Sequence, residues 1–274
     1  MGDTPAITLN NGVTIPQIGF GVFQIPEAET ESAVSTAIEA GYRSIDTAAI
    51  YHNEAGVGAA LAASGVPRDE LFVTTKVWNS DQGYDETLRA FEASLARLGL
   101  DRLDLYLIHW PTPRHGRFLD TWRALESLLA EGRVRAIGVS NFLPGHLRAI
   151  AEPGGTVPAV NQIELHPALQ QRAAQEANTA LGVVTEAWSP LAQAGVLGDP
   201  AVVRIAGAHD RTPAQVVLRW HVQQGRIVIP KSVTPSRIRE NLRIFDFALS
   251  ADEMAAIDAL EADGRTGPHP DHFN

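Results

Sequence analysis

Eight short apolar runs alternating with amphipathic helical stretches predict a (β/α)8 barrel, an α/β fold, with a β-hairpin placed before it. Three observations carry the prediction. The runs, near 18–21, 43–46, 71–76, 104–109, 134–139, 159–163, 183–188 and 227–230, are apolar on consecutive positions, as parallel strands covered on both faces should be. The stretches between them repeat apolar residues at spacings of three and four and carry recognisable helix caps. The length of 274 residues fits eight strand–helix units in one domain over 1–274.

Taken in order, Ile7-Thr-Leu9 and Val13-Thr-Ile15 flank Asn10-Asn-Gly12, the signature of a tight turn, which sets a hairpin over 6–16. Asn53-Glu54 can open the helix that follows the second barrel strand. Leu88, Phe91, Leu95 and Leu98 make one helix face closed by Gly99, and Leu119, Trp122, Leu125 and Leu129 repeat the pattern before Gly132. Thr212-Pro213 and Thr234-Pro235 each place a capping hydroxyl before a proline suited to the first helical position; Ser250 with Glu253 forms a capping box. The last helix is expected to reach about Glu261, leaving 262–274 as an irregular tail. A doubly wound sheet is the structural alternative. Its dinucleotide site needs Gly-x-Gly-x-x-Gly after a strand, whereas Gly56-Val-Gly58 runs on into Ala59-Ala60-Leu61 within a helical stretch.

The 45% hydrophobic content excludes a disordered chain, and nothing resembles a linker. Cysteine is absent, which removes disulfides and thiolate metal ligation, and the nine histidines show no metal-binding pair spacing, so no metal is expected. A formal charge of −10 opposes a broad nucleic-acid surface yet leaves room for a local cationic pocket that takes a small anion. No apolar stretch reaches the roughly 18 residues of a membrane span, and Met1-Gly-Asp-Thr-Pro lacks a basic region followed by an apolar run. A cytoplasmic, monomeric protein without membrane or nucleic-acid partners is expected.

Barrel chemistry belongs at the carboxyl ends of the strands, and polar residues gather there: Asp46, Lys76, His109, Ser140 with Asn141, Gln162, Trp188 with Ser189, and Lys231 with Ser232. Each has an ordinary structural explanation, as a helix cap, a solvated terminus or a satisfied core amide. Their shared position argues for a site. A lysine held by a carboxylate keeps its charge, and a cation beside a phenol lowers the phenol's pKa from about 10 towards neutrality, which makes Tyr51 a candidate general acid. His109 can then orient a carbonyl oxygen while its carbon stays open to a nucleophile. Lys231 and Arg237 could cradle a phosphate despite the acidic whole.

Long ordered motifs extend over nearly the whole chain: Gly41-Tyr-Arg-Ser-Ile-Asp-Thr-Ala-Ala-Ile-Tyr-His-Asn-Glu54, Leu103-Asp-Leu-Tyr-Leu-Ile-His-Trp-Pro111, Gly138-Val-Ser-Asn-Phe142, Asn161-Gln-Ile-Glu-Leu-His-Pro167 and Ile229-Pro-Lys-Ser232. By these the chain resembles the aldo-keto reductases, and within them the bacterial 2,5-diketo-D-gluconate reductase branch. The resemblance implies NADPH-dependent reduction of a small carbonyl compound, with Tyr51 as proton donor, Asp46 and Lys76 tuning it and His109 positioning the carbonyl. It also implies that Ser140, Asn141 and Gln162 bond the nicotinamide carboxamide, that Trp188 stacks on the ring, and that Ser189 and Leu191 meet the pyrophosphate. Lys231, Ser232, Arg237, Glu240 and Asn241 match the adenosine end.

The segment from Pro111 to about Phe118 and the tail are short, and in the family that the chain resembles both regions shape the substrate pocket; the resemblance therefore implies an open pocket lined by Phe23, Trp78, Trp110 and Tyr51, with packing at the barrel rim the alternative role for Trp78 and Trp110. Aldehydes, ketones, α-dicarbonyls and keto-sugar acids all suit it. Two rival functions use the same barrel: a cofactor-binding regulatory subunit, and a lyase or aldolase with Lys76 as a Schiff base.

Overall fold

The computed structural model describes residues 4–151 and 155–274. Residues 1–3, on which the reading of the chain start partly rests, lie outside them. Strands β1 (Ala6–Thr8) and β2 (Thr14–Pro16) pair antiparallel around the expected turn. Eight parallel strands follow in chain order: β3 (Phe20–Gly21), β4 (Ser44–Asp46), β5 (Phe72–Val77), β6 (Leu103–Ile108), β7 (Val134–Ser140), β8 (Val160–Glu164), β9 (Val184–Trp188) and β10 (Ile227–Val228). Each pairs with its sequence neighbour, and a parallel bridge between Ile18 and Val228 joins the last strand to the first. The sheet therefore closes, which settles the barrel against the doubly wound alternative.

Among the described residues ten helices clothe the barrel: α1 (Glu27–Ala40), α2 (Glu54–Ala63), α3 (Tyr84–Leu98), α4 (Phe118–Ala130), α5 (Pro144–Ile150), α6 (Arg172–Ala180), α7 (Pro200–His209), α8 (Pro213–Gln223), α9 (Pro235–Asn241) and α10 (Ala251–Asp258). Among the described residues no helix is long and apolar enough to cross a membrane. The stripe of α3 ends at Gly99 as expected, in a left-handed conformation. In α4 the buried positions are Thr121, Trp122, Ala124, Leu125 and Leu128, while Leu119 is exposed: the apolar stripe starts one turn later than the spacing suggests. Thr212 and Ser250 cap α8 and α10 through capping boxes. Thr234, by contrast, makes no side-chain cap; its backbone N–H is taken by the Ser232 hydroxyl at 3.1 Å. Helix α10 stops at Asp258, short of Glu261, and the Asp258 carbonyl accepts the Gln170 amide at 2.8 Å.

Two apolar clusters place the site. One lies mostly between strands and helices, with Trp220 and Phe91 fully buried. The other joins Leu9 and Ile15 of the hairpin region to Phe72, Leu105, Leu107, Val160 and Ile227. Phe72 begins β5 and Val160 begins β8, so the hairpin plugs the amino-terminal mouth and leaves the carboxyl-terminal mouth for a ligand. Gly58 lies inside α2, and a Cβ there would run into the Leu98 backbone of α3; the glycine serves helix packing, not a phosphate turn.

Candidate active site

At the open mouth the strand ends bring Asp46, Lys76 and His109 together. Lys76 is fully buried; its Nζ donates to Asp46 Oδ1 at 2.6 Å and to the Thr47 carbonyl at 2.9 Å. Burial disfavours its charge, yet the Asp46 carboxylate, Tyr51 and Glu186 together hold its pKa above the ordinary value. An ammonium so engaged is a poor Schiff-base nucleophile, which counts against the lyase reading. Asn53 fixes the connecting loop: its side chain accepts from the Thr47 hydroxyl at 2.9 Å and donates to the Val22 and Ile25 carbonyls, with no cap to α2.

Tyr51 ends a short 3-10 turn, its ring 5.3 Å from Lys76 Nζ, 5.6 Å from the His109 ring and 5.0 Å from Phe23. The expected lowering of its pKa does not follow. Burial pushes the phenol up; Lys76 pulls it down and Asp46 pushes it up again, and the net direction is upward. Desolvation outweighs the cation, so Tyr51 keeps its proton. His109 sits between Trp78 and Tyr51, its pKa driven well down by burial and by Lys76, and is therefore neutral. Its Nδ1 is buried without a partner.

A polar network extends from this centre across the barrel. Gln162 Nε2 donates to Asp46 Oδ2 at 2.8 Å and to Glu186 Oε2 at 3.0 Å. Ser140 Oγ donates to the Gln162 carbonyl at 2.8 Å; Asn141 Nδ2 donates to the His109 carbonyl and to Ser140 Oγ, each at 3.0 Å. The Trp188 indole N–H closes the chain on Asn141 Oδ1 at 2.8 Å. Glu186 escaped the sequence reading. The signal was present, since strand alternation puts it on the same face as Trp188, two residues on.

Beyond β9 the chain turns through left-handed backbone at Ser189 and at Ala192, Gln193 and Ala194, with Leu191 half-buried against the core. Such conformations cost non-glycine residues about 1 kcal/mol or more each, so the surroundings hold this loop in shape. His221 supports it by a ring contact to the Pro190 carbonyl at 3.1 Å. Beyond β10, Lys231 in the following loop and Arg237 on α9 are exposed, and among the described residues neither makes an ion pair. Ser232 is half-buried, Asn241 is buried, and Glu240 accepts the Thr212 hydroxyl. Two exposed cations without an ion-pair partner among the described residues suit a phosphate, as a dinucleotide would require.

The rim departs from expectation. Phe23 is 51% exposed beside Tyr51, Trp78 packs edge-on to His109, but Trp110 is 6% exposed and covered by Phe273, with ring centroids 4.7 Å apart. Phe273 also meets Trp78 at 6.0 Å. The tail, short as it is, folds back onto Trp78 and Trp110 at the mouth. It is held by Glu164: Oε1 accepts the Thr266 N–H and hydroxyl, each at 2.6 Å, and Oε2 accepts the Gly267 N–H at 3.1 Å. Gly267 is required there, because a Cβ would lie 2.5 Å from Trp188 Cη2. At the far end Asn274 Oδ1 accepts the Arg114 N–H at 2.8 Å. No periodicity marks Phe273 in the sequence; only the fold brings it to Trp110.

A closed barrel with this strand-end chemistry defines an oxidoreductase, and the chain belongs to the aldo/keto reductase family, whose model matches residues 17–262. It is 56% identical over 271 residues to an aldo-keto reductase of Mycolicibacterium smegmatis, covering 99% of this chain and 98% of that one. It is 52% identical over 271 residues to the methylglyoxal reductase DkgA of Yersinia pestis, covering 98% and 97% of the two chains. Among solved structures, that of a mutant of Gox0644 in complex with NADPH superposes with a TM-score of 0.96 at 50% identity over 100% of both chains.

Proposed function

We propose that the protein reduces small carbonyl compounds to alcohols with NADPH, with Tyr51 donating the proton. The observation that carries this reading is the fully buried Lys76–Asp46 pair beneath a protonated Tyr51 and a neutral His109. When bound, NADPH would supply the hydride for the carbonyl carbon. Burial keeps the proton on Tyr51 until the carbonyl oxygen takes it, and the charged Lys76 stabilises the phenolate left behind. His109, held neutral, offers one N–H to the same oxygen and fixes which face of the carbonyl is open.

Ser140, Asn141 and Gln162 would hold the carboxamide and Trp188 the nicotinamide ring. Because both N–H bonds of Gln162 are spent on Asp46 and Glu186, its Oε1 is the atom left to accept. Ser189 and Leu191 would meet the pyrophosphate; Lys231, Ser232, Arg237, Glu240 and Asn241 would meet the adenosine end, the two cations reading a 2′-phosphate. Phe23, Trp78, Trp110 and Phe273 give apolar walls suited to small aldehydes and α-dicarbonyls, of which methylglyoxal is the first to assay. The chain is read as one domain over 1–274, monomeric and cytoplasmic; light scattering in solution tests the monomer.

Tyr51→Phe tests the acid. It keeps the ring and removes the hydroxyl, so turnover should fall by roughly 100-fold or more while NADPH binding survives. Near-normal turnover in that variant would refute the assignment.

A further inference from the structure

Beneath the site lies a buried carboxyl group whose only part in the scheme above is to accept one Gln162 N–H. Glu186 is 1% exposed and points into the barrel, its strand neighbour Thr185 being turned outwards to Asn178 of α6 at 2.9 Å. The register partner of Glu186 on β10 is Ile227, which is apolar. The charged and polar groups facing it are Asp46 from β4, Lys76 from β5 and Gln162 from β8, with Tyr51 and His109 beyond them.

We propose that Glu186 is a positioning residue for carbonyl reduction, which locks the Gln162 amide in one orientation and whose charge state governs how strongly Lys76 favours release of the Tyr51 proton. The inference rests on the Tyr51 reading above and deepens it. Gln162 has two amide hydrogens and spends one on each carboxyl group. With the second acceptor lost, the amide could rotate and present N–H where the carboxamide needs an acceptor. The charge argument is arithmetic. Lys76 is the one cation in contact with Asp46 here; a neutral Glu186 leaves the pair balanced, whereas an ionised Glu186 adds one negative charge. That charge opposes Lys76, makes the phenolate harder to form and slows proton donation. Burial and the neighbouring Asp46 carboxylate push Glu186 up to about 7, so the change falls in the working range.

Two variants separate the roles. Glu186→Gln keeps an acceptor for Gln162 and removes the titration; Glu186→Leu removes both. Hydride transfer is read in single turnovers with methylglyoxal and NADPH deuterated at the nicotinamide C4, so that an isotope effect certifies the chemical step. In the parent the rate should fall by about threefold or more between about pH 6 and 8, and in Glu186→Gln it should stay within about twofold. The NADPH dissociation constant should be unchanged within about twofold in Glu186→Gln and raised about fivefold or more in Glu186→Leu. If the leucine variant fails to fold, carbon-13 NMR of the parent with labelled glutamate should show one carboxyl titrating near 7 that is missing from Glu186→Gln. Superimposable pH profiles for parent and Glu186→Gln overturn the proposal, as does the missing carboxyl titration. Tyr51→Phe, run alongside, keeps the two readings distinct: its inactivity beside unshifted Glu186 profiles rejects Glu186 alone, and its activity rejects the acid assignment beneath both.

Discussion

Replacing Glu164 with Gln puts the tail to the test. The parent carboxylate is fully buried and serves partners on both oxygens: Thr266 N–H and hydroxyl on Oε1, with the His166 ring Nε2 3.2 Å from the same oxygen, and Gly267 N–H on Oε2, with Arg265 at 3.6 Å. An amide offers one acceptor oxygen. If that oxygen keeps Thr266, the Gly267 N–H faces an NH2 group, so one bond to a charged acceptor is lost and a donor is left opposed. Hydrogen bonds to charged groups contribute about 1.5–3 kcal/mol, and the bonds retained weaken with the loss of charge, so a total near 3 kcal/mol is reasonable. That lowers the ratio of docked to released tail by roughly 100-fold. Amide hydrogen exchange over 262–274 reads the ratio directly, at Thr266 and Gly267 above all. Release also draws Phe273 off Trp110 and Trp78, so the KM for methylglyoxal should rise while kcat, assigned to Tyr51 on its 3-10 turn and to Asp46, Lys76 and His109 at the ends of β4, β5 and β6, changes little. Unchanged protection at Thr266 and Gly267 would refute the latch. Lost protection with an unchanged KM would show that Phe273 does not wall the substrate pocket.

Replacing Lys231 and Arg237 together by Ala should raise the NADPH dissociation constant more than tenfold beyond any change for NADH, since each cation contributes about 1.5–3 kcal/mol to a bound phosphate. Titration by quenching of tryptophan fluorescence at two salt concentrations checks it, with the gap narrowing as salt rises. Glu186 also makes stability depend on pH. Its folded pKa, about 7, lies above the ordinary 4.5, so between those values the folded protein holds a proton that the unfolded chain releases. Stability therefore falls as pH rises through that window, by about 3 kcal/mol at most. Urea unfolding should show Glu186→Gln gaining on the parent from about pH 5 to about pH 8; a constant difference would mean that Glu186 does not titrate in the fold.

The sequence by itself determined the barrel, its hairpin and the strand-end positions of its candidate site residues. Short consecutive apolar runs alternating with helical stretches point to strands buried on both faces, and each run ends within two residues of its strand's end, so Asp46, Lys76, His109, Ser140, Gln162 and Trp188 could be placed at one mouth from position alone. What it left open depends on distances across the barrel. Thr234 and Leu119 look like a cap and a core residue by local rules, but Thr234 makes no side-chain cap and the buried stripe of α4 leaves Leu119 outside. The Tyr51 pKa illustrates the physical reason. A sequence shows that a lysine lies near a phenol, whereas the balance between that attraction and desolvation depends on how much water the folded site excludes. Glu186 could have been reached by strand parity, but its partnership with Asp46 through Gln162 joins β4, β8 and β9, strands distant in sequence that only barrel closure brings face to face. Phe273 lies further still from anything local. It reaches Trp110 because Glu164, more than a hundred residues before it in the chain, holds Thr266 and Gly267 in place, and tertiary structure alone sets that contact.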